Sequence, residues 1–103
     1  MKTWHDKLTD RLSKAFSMLN SPEEVCAFLD DVATISEVKA MAQRLEVARL
    51  LNEGMKYPEI AAATGASTAT ISRVKKCLEY GAGGYTLVLH DKIPSSNPTI
   101  QEA

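Results

Sequence analysis

Cysteine is scarce in this chain. Of 103 residues two are cysteine, Cys26 and Cys77. They lie far apart and form no Cys-x-x-Cys pair, which argues against a disulfide framework and fits a reduced compartment. Long apolar runs are missing as well. The chain begins Met-Lys-Thr-Trp-His-Asp, and charges recur through the residues that follow. No stretch reads as a signal segment or a bilayer span, so the expectation is a cytoplasmic protein with no membrane partner. A surplus of one charge sign is also lacking. Net charge is −1, so the whole molecule is not a basic surface built to coat nucleic acid, and any such contact must come from local charge. Internal repeats and long charge blocks are absent. His5 and His90 are widely separated, with no carboxylate or cysteine at ligand spacing. They read as solvated histidines, and no metal site is expected. No nucleophile–base pair stands out, so neither a catalytic residue nor an enzyme activity is expected. The "GAGG" at 81–84 is short and follows no strand, which makes it a weak phosphate-loop candidate.

What is present is an ordinary globular composition, 45% apolar and 24% charged, in a length suited to one small domain. So short a chain has a marginal core alone, and oligomerisation would help it. The periodicity predicts helices. Over 3–19, Trp4, Leu8, Leu12, Phe16 and Leu19 fall on one stripe, with Trp4 read as an interface residue. Ser21, Pro22 and Glu24 start a second helix over 22–32, by capping box and N-terminal proline. Cys26 beside its apolar stripe reads as a small core residue, and Asp30-Asp31 as a solvated helix end. Thr34 and Glu37 form another capping box, opening a long helix to about Glu53 that Gly54 stops. Its apolar residues make two faces: Val38, Met41, Leu45 and Ala48 on one, Val47, Leu50 and Leu51 on the other. Such a helix belongs between two layers or between subunits. A short helix over 57–64 and a last one over 68–80, capped by Ser67 and ended by Gly81, complete the expected domain at 1–81. Residues 82–103 are expected to be a C-terminal tail. Its first part reads as a short strand or a segment packed on the body, and from Pro94 it reads as disordered.

The stretch "EIAAATGASTATISRVKKCLEY", residues 59–80, carries the functional signal. A helix-turn-helix needs a small residue where its helices cross, a turn residue at ease with positive φ, and apolar anchors for the second helix. Ala61, Gly65, and the anchors Ile60, Ile71 and Val74 supply these over about 57–76. Ser67, Thr68, Ala69 and Ser72 are then left outward, slim and polar enough to lie in a major groove. Arg73, Lys75 and Lys76 add phosphate-facing charge. Residues 37–80 hold seven basic and five acidic residues, net +2, whereas 21–37 hold five acidic and no basic ones. The motif end is therefore the more basic, as a DNA-facing end would be. The plainer alternatives are an αα-corner in a bundle, or a helical protein-interaction module that keeps the fold without binding DNA.

The segments "TISEVKAMAQRLEVARLLNEG" and "YPEIAAATGASTATISRVKKCL", and "TGASTATISR" above all, resemble the Trp repressor superfamily, most closely its uncharacterised Trp-repressor-like bacterial branch. The resemblance covers about residues 5–80. It implies an all-α, intertwined homodimer whose N-terminal helices interlock, each subunit presenting one helix-turn-helix to a palindromic operator. It also implies that Thr68, Ala69 and Ser72 approach double-stranded DNA. In the Trp repressor a tryptophan sits between the long central helix and the recognition helix. The matching positions here are Arg44, Thr70 and Arg73, with Thr34 near the cleft. Two positions depart: Val74 stands where the Trp repressor has glycine, and Cys77 where it has serine. A small-molecule effector is therefore open in identity, with tryptophan disfavoured by Val74. The family's final helix has no obvious counterpart in "GAGGYTLVL".

Overall fold

The computed structural model describes residues 3–91, and every element among them is a helix. The order is α1 (Lys7–Ser17), α2 (Pro22–Val32), α3 (Ile35–Asn52), α4 (Tyr57–Thr64), α5 (Thr68–Tyr80) and α6 (Gly84–Asp91). The chain divides within α3 into two compact units, residues 1–39 and Ala40 onward.

In the first unit, α1 starts four residues later than its apolar stripe suggests. Asp6 takes the N-cap: its carboxylate accepts from the Thr9 backbone N–H at 2.9 Å, and Thr9 Oγ1 accepts from the Asp6 N–H at 2.8 Å. That reciprocal pair fixes the helix start and leaves Trp4 outside it, stacked on His5 with ring centroids 3.8 Å apart. At α2 the Ser21 hydroxyl accepts from the Glu24 N–H, but the Glu24 carboxylate reaches past the cap to the N–H of Asn20. The Phe16 and Phe28 rings meet edge-to-face at 5.2 Å, a favoured aromatic geometry. Yet neither α1 nor α2 contains a single buried residue. Cys26, expected in a core, is exposed, because within the described chain no layer lies over that part of α2.

The second unit has a true interior. Val47, Ala48, Leu50, Ile60, Ala66, Ile71, Val74 and Leu89 form one buried cluster. Full burial of an aliphatic side chain contributes about 1.5–3 kcal/mol, so Val47, Ile60, Ile71 and Val74 dominate this unit's stability. α3 ends as Gly54 adopts φ 85°, with Met55 N–H bonding Leu50 C=O and Gly54 N–H bonding Leu51 C=O. These two bonds occupy carbonyls the helix end would leave open. Burial along α3 follows position in the helix rather than the two expected faces, since Ala48 and Leu45 share a face with Met41 yet pack in or against the core. Val47, Ala48 and Leu50 are buried, while Ile35 and Met41 stay 75% and 43% exposed.

The C-terminal expectation needs correction. Of the two readings of the tail's first part, the strand fails and the segment packed on the body holds: residues 84–91 form α6, with Leu89 in the core and Tyr85 packed against it. The spacing of Tyr85 and Leu89 places both on one helical face. The expected disorder from Pro94 lies outside the described residues.

Candidate nucleic-acid interface

α4 and α5 are joined by the turn Gly65-Ala66-Ser67, and its geometry rests on four side-chain or backbone choices. Gly65 has φ 75°, a conformation that costs most other residues about 1–2 kcal/mol. Space is not the reason for glycine, since an added Cβ would come no nearer than 3.9 Å to its closest neighbour, Gln43 Nε2. Thr64 braces the turn: its hydroxyl donates to Ile60 C=O at 2.8 Å and accepts from the Ala66 N–H at 3.1 Å. Gln43, on α3, donates from Nε2 to the Thr64 carbonyl at 3.1 Å. Ser67 caps α5, accepting from the Thr70 N–H and hydrogen-bonding the Thr70 hydroxyl, both at 3.1 Å. Sequence reasoning found Gly65 and Ser67 but missed Gln43 and Thr64. A helical threonine one residue before the turn glycine was the available signal for Thr64; the long-range Gln43 bond had none.

Ile60, Ile71 and Val74 are at most 1% exposed, and Ala61 is half-buried against the same cluster. With Ile71 and Val74 inward, the rise of about 100° per residue turns Ala69 and Lys76 directly away from the core. Ser72 and Arg73 flank that direction, and Thr68 and Lys75 lie to one side of it. All six, with Ser67, are exposed. Lys75 Nζ lies 5.9 Å from the centroid of the Tyr57 ring, at the outer range of a cation–π contact, so this charge leans toward the start of α4. There the Glu59 carboxylate accepts from the Lys56 N–H at 3.2 Å.

Charge is distributed unevenly in this unit. Arg49 is clamped: Nε and Nη2 bond Glu46 at 3.0 and 2.6 Å, and Nη1 bonds Glu53 at 2.8 Å. The Arg49 hydrogen bond holds the Glu46 carboxyl below the usual carboxylate range, and the same bond raises the guanidinium's own pKa. Arg44, Arg73, Lys75 and Lys76 take part in no ion pair among the described residues. Of the seven basic residues over 37–80, then, Arg49 is neutralised while the α5 cations remain available.

The residues matched to the effector site are dispersed in role. Val74 is 1% exposed within the core. Arg44 and Cys77 are half-buried and Arg73 is exposed. The Thr70 hydroxyl is engaged by Ser67. Thr34 belongs to the first unit, where its hydroxyl accepts from the Glu37 N–H at 3.1 Å and it lines a shallow apolar recess with Leu29, Ala33 and Val38. No group of three or more His, Cys, Asp or Glu is placed to hold a metal among the described residues. No helix of theirs is long and apolar enough to cross a membrane.

Three comparisons bear on this arrangement. The family profile described as "Trp repressor protein" matches residues 7–93. The uncharacterised protein YerC of Bacillus subtilis (strain 168) is 52% identical over 83 residues, covering 81% of this chain and 80% of YerC. Among solved structures, a proposed Trp repressor from Staphylococcus aureus superposes with a TM-score of 0.79 at 41% identity, over 84% of this chain and 86% of that one. A TrpR-like protein from Eubacterium eligens ATCC 27750 gives the same TM-score, 0.79, at 44% identity over 82% and 88% of the respective chains.

Proposed function

The chain belongs to the Trp repressor family, a family of DNA-binding regulators and not of enzymes, and from that premise we propose that it is a sequence-specific, repressor-like transcriptional regulator. In this reading α4 and α5 are a helix-turn-helix, and α5 is the recognition helix. The observation that carries it is the division of α5: Ile71 and Val74 are buried, while Ala69, Ser72, Arg73 and Lys76 project outward as a slim polar tip followed by free cations. Backbone phosphates supply affinity to such a surface, and its narrow tip can reach base edges. The protein acts as a homodimer on palindromic sites with half-sites about one helical turn apart. Support for the dimer comes from the first unit, whose apolar residues have no interior of their own. The test is gel retardation of a labelled genomic fragment pool at low salt. Selective retention of a subset is expected. Failure to retain any fragment would overturn the reading in favour of a protein-interaction role for the same helices.

Regulation by free tryptophan is not part of this proposal. Val74 is the second anchor of α5 and shares the buried cluster with Val47 and Ile71. Where the Trp repressor leaves glycine, this chain fills the space itself. Forcing methyl-sized groups into a fitted volume costs about 1–3 kcal/mol, a tenfold to hundredfold loss of affinity. α5 is instead seated by its own side chain, so DNA binding proceeds without tryptophan. Calorimetry is expected to show no micromolar tryptophan binding; such binding, with DNA affinity rising on saturation, would refute the claim.

A further inference from the structure

The outermost residue of the first turn of α5 is an alanine. Ala69 is exposed and faces directly away from Ile71 and Val74, with Ser72 flanking that direction one turn on. No residue over 68–72 is Arg, Lys, Asn or Gln, the types that read guanine or adenine with paired hydrogen bonds. The Ser72 hydroxyl makes no hydrogen bond among the described residues, in contrast to Ser67 and Thr70, which are bonded to each other. A serine hydroxyl serves as donor or acceptor and accepts several bases. Ala69 is different, because its side chain ends in a methyl group. A base edge whose amine or ring nitrogen faced that methyl would lose its water and gain no partner, which is costly. The major groove presents one apolar group, the 5-methyl of thymine.

We propose that Ala69 seats against a thymine 5-methyl group, so that the preferred sites carry thymine opposite the tip of α5. This rests on the reading of α5 as the recognition helix. Ala69 is then the residue of the tip with a one-sided base preference, and Ser72, Arg73 and Lys76 set register and affinity around it.

The experiment compares the best-retained DNA fragment with the same fragment synthesised with deoxyuridine for every thymidine, which deletes only the 5-methyl groups. Burying a methyl-sized group contributes about 0.8 kcal/mol, so removing the one under Ala69 is expected to weaken specific binding about fourfold per half-site. The discrimination should vanish in Ala69→Gly, and also in Ala69→Ser, which keeps better helix propensity and guards against simple loss of fold. Equal binding of the two fragments by the unaltered protein would overturn the proposal while leaving DNA recognition intact. A thymine preference that persists unchanged in both variants would also overturn it, assigning the effect to groove shape. Retention of no DNA at all would remove the recognition reading itself, and this inference with it.

Discussion

Arg73 and Ser72 are neighbours on the outward side of α5, yet they should fail differently when altered. Both are exposed, but in the proposed interface Arg73 is assigned to phosphate, which carries charge and little sequence information, and Ser72 to base edges. Arg73→Ala and Lys76→Ala should therefore weaken binding to every sequence alike and reduce the salt slope by about one each. Thr68 or Ser72 substitutions should change which sequence is preferred, as read by competition between selected and random fragments. Equal, sequence-blind losses from all of them would mean that the outward face has been misassigned. A second residue-scale prediction concerns Glu46, whose carboxyl the Arg49 hydrogen bond holds below the usual range. Its folded pKa lies under its unfolded one, so the folded state binds fewer protons and the pair's contribution is complete above the unfolded value, about 4.3. That contribution is lost as pH falls through the lower, folded value. Urea midpoints measured from neutral pH into this acid range should decline, and Glu46→Gln should flatten part of the decline. Asp6 and Glu37, lowered by the backbone N–H groups of Thr9 and Thr34, act in the same direction.

Among the elements, α2 to α5 were legible from apolar periodicity together with the start signals of α2, α3 and α5 and the glycines after α3, α4 and α5. Ser21, Thr34 and Ser67 begin their helices and Gly54 and Gly65 mark turns, as their chemistry dictates. The same spacing singled out Ile60, Ile71 and Val74, which the structure buries. α6 was not legible. "YTLVL" is rich in β-branched and aromatic residues, whose local preference is extended, and two glycines precede it. The helix forms because Tyr85 and Leu89 find the core from one face, so tertiary contact overrides local preference. Cys26 misled for the opposite reason: an apolar stripe shows which face seeks burial, not whether one chain supplies the cover. The contrast within α6 is testable. Leu89 is 7% exposed and Leu87 69%. Leu89→Ala should cost about 2–5 kcal/mol in urea unfolding, and Leu87→Ala about 0.5 kcal/mol or less. Similar small values for both would show that α6 is not part of the cooperative unit.

At the scale of the whole molecule, the single chain leaves much apolar surface in water. Leu8, Met18, Val32 and Ile35 are 73%, 74%, 53% and 75% exposed, a density that marks association surfaces rather than solvent-facing helices. Light scattering at micromolar concentration should report a dimer, and its melting temperature should rise with concentration. Leu8→Lys and Leu12→Lys, placed on the α1 stripe, should shift the mass to monomer and abolish palindrome-specific binding. A folded monomer that retains such binding would contradict the assembly proposed.

For the homodimeric regulator proposed above, the first unit's lack of an interior has a consequence for gene control. In that assembly, N-terminal helices sheltered only by a second copy would become less ordered, and more open to proteolysis, as the chain is diluted. Dimer abundance at low concentration rises as the square of chain abundance, and the loss of unpaired chains steepens that further. Occupancy of a promoter would then respond to synthesis of the regulator as a threshold. A modest change in expression would separate silence from repression, with no small molecule required to set the point.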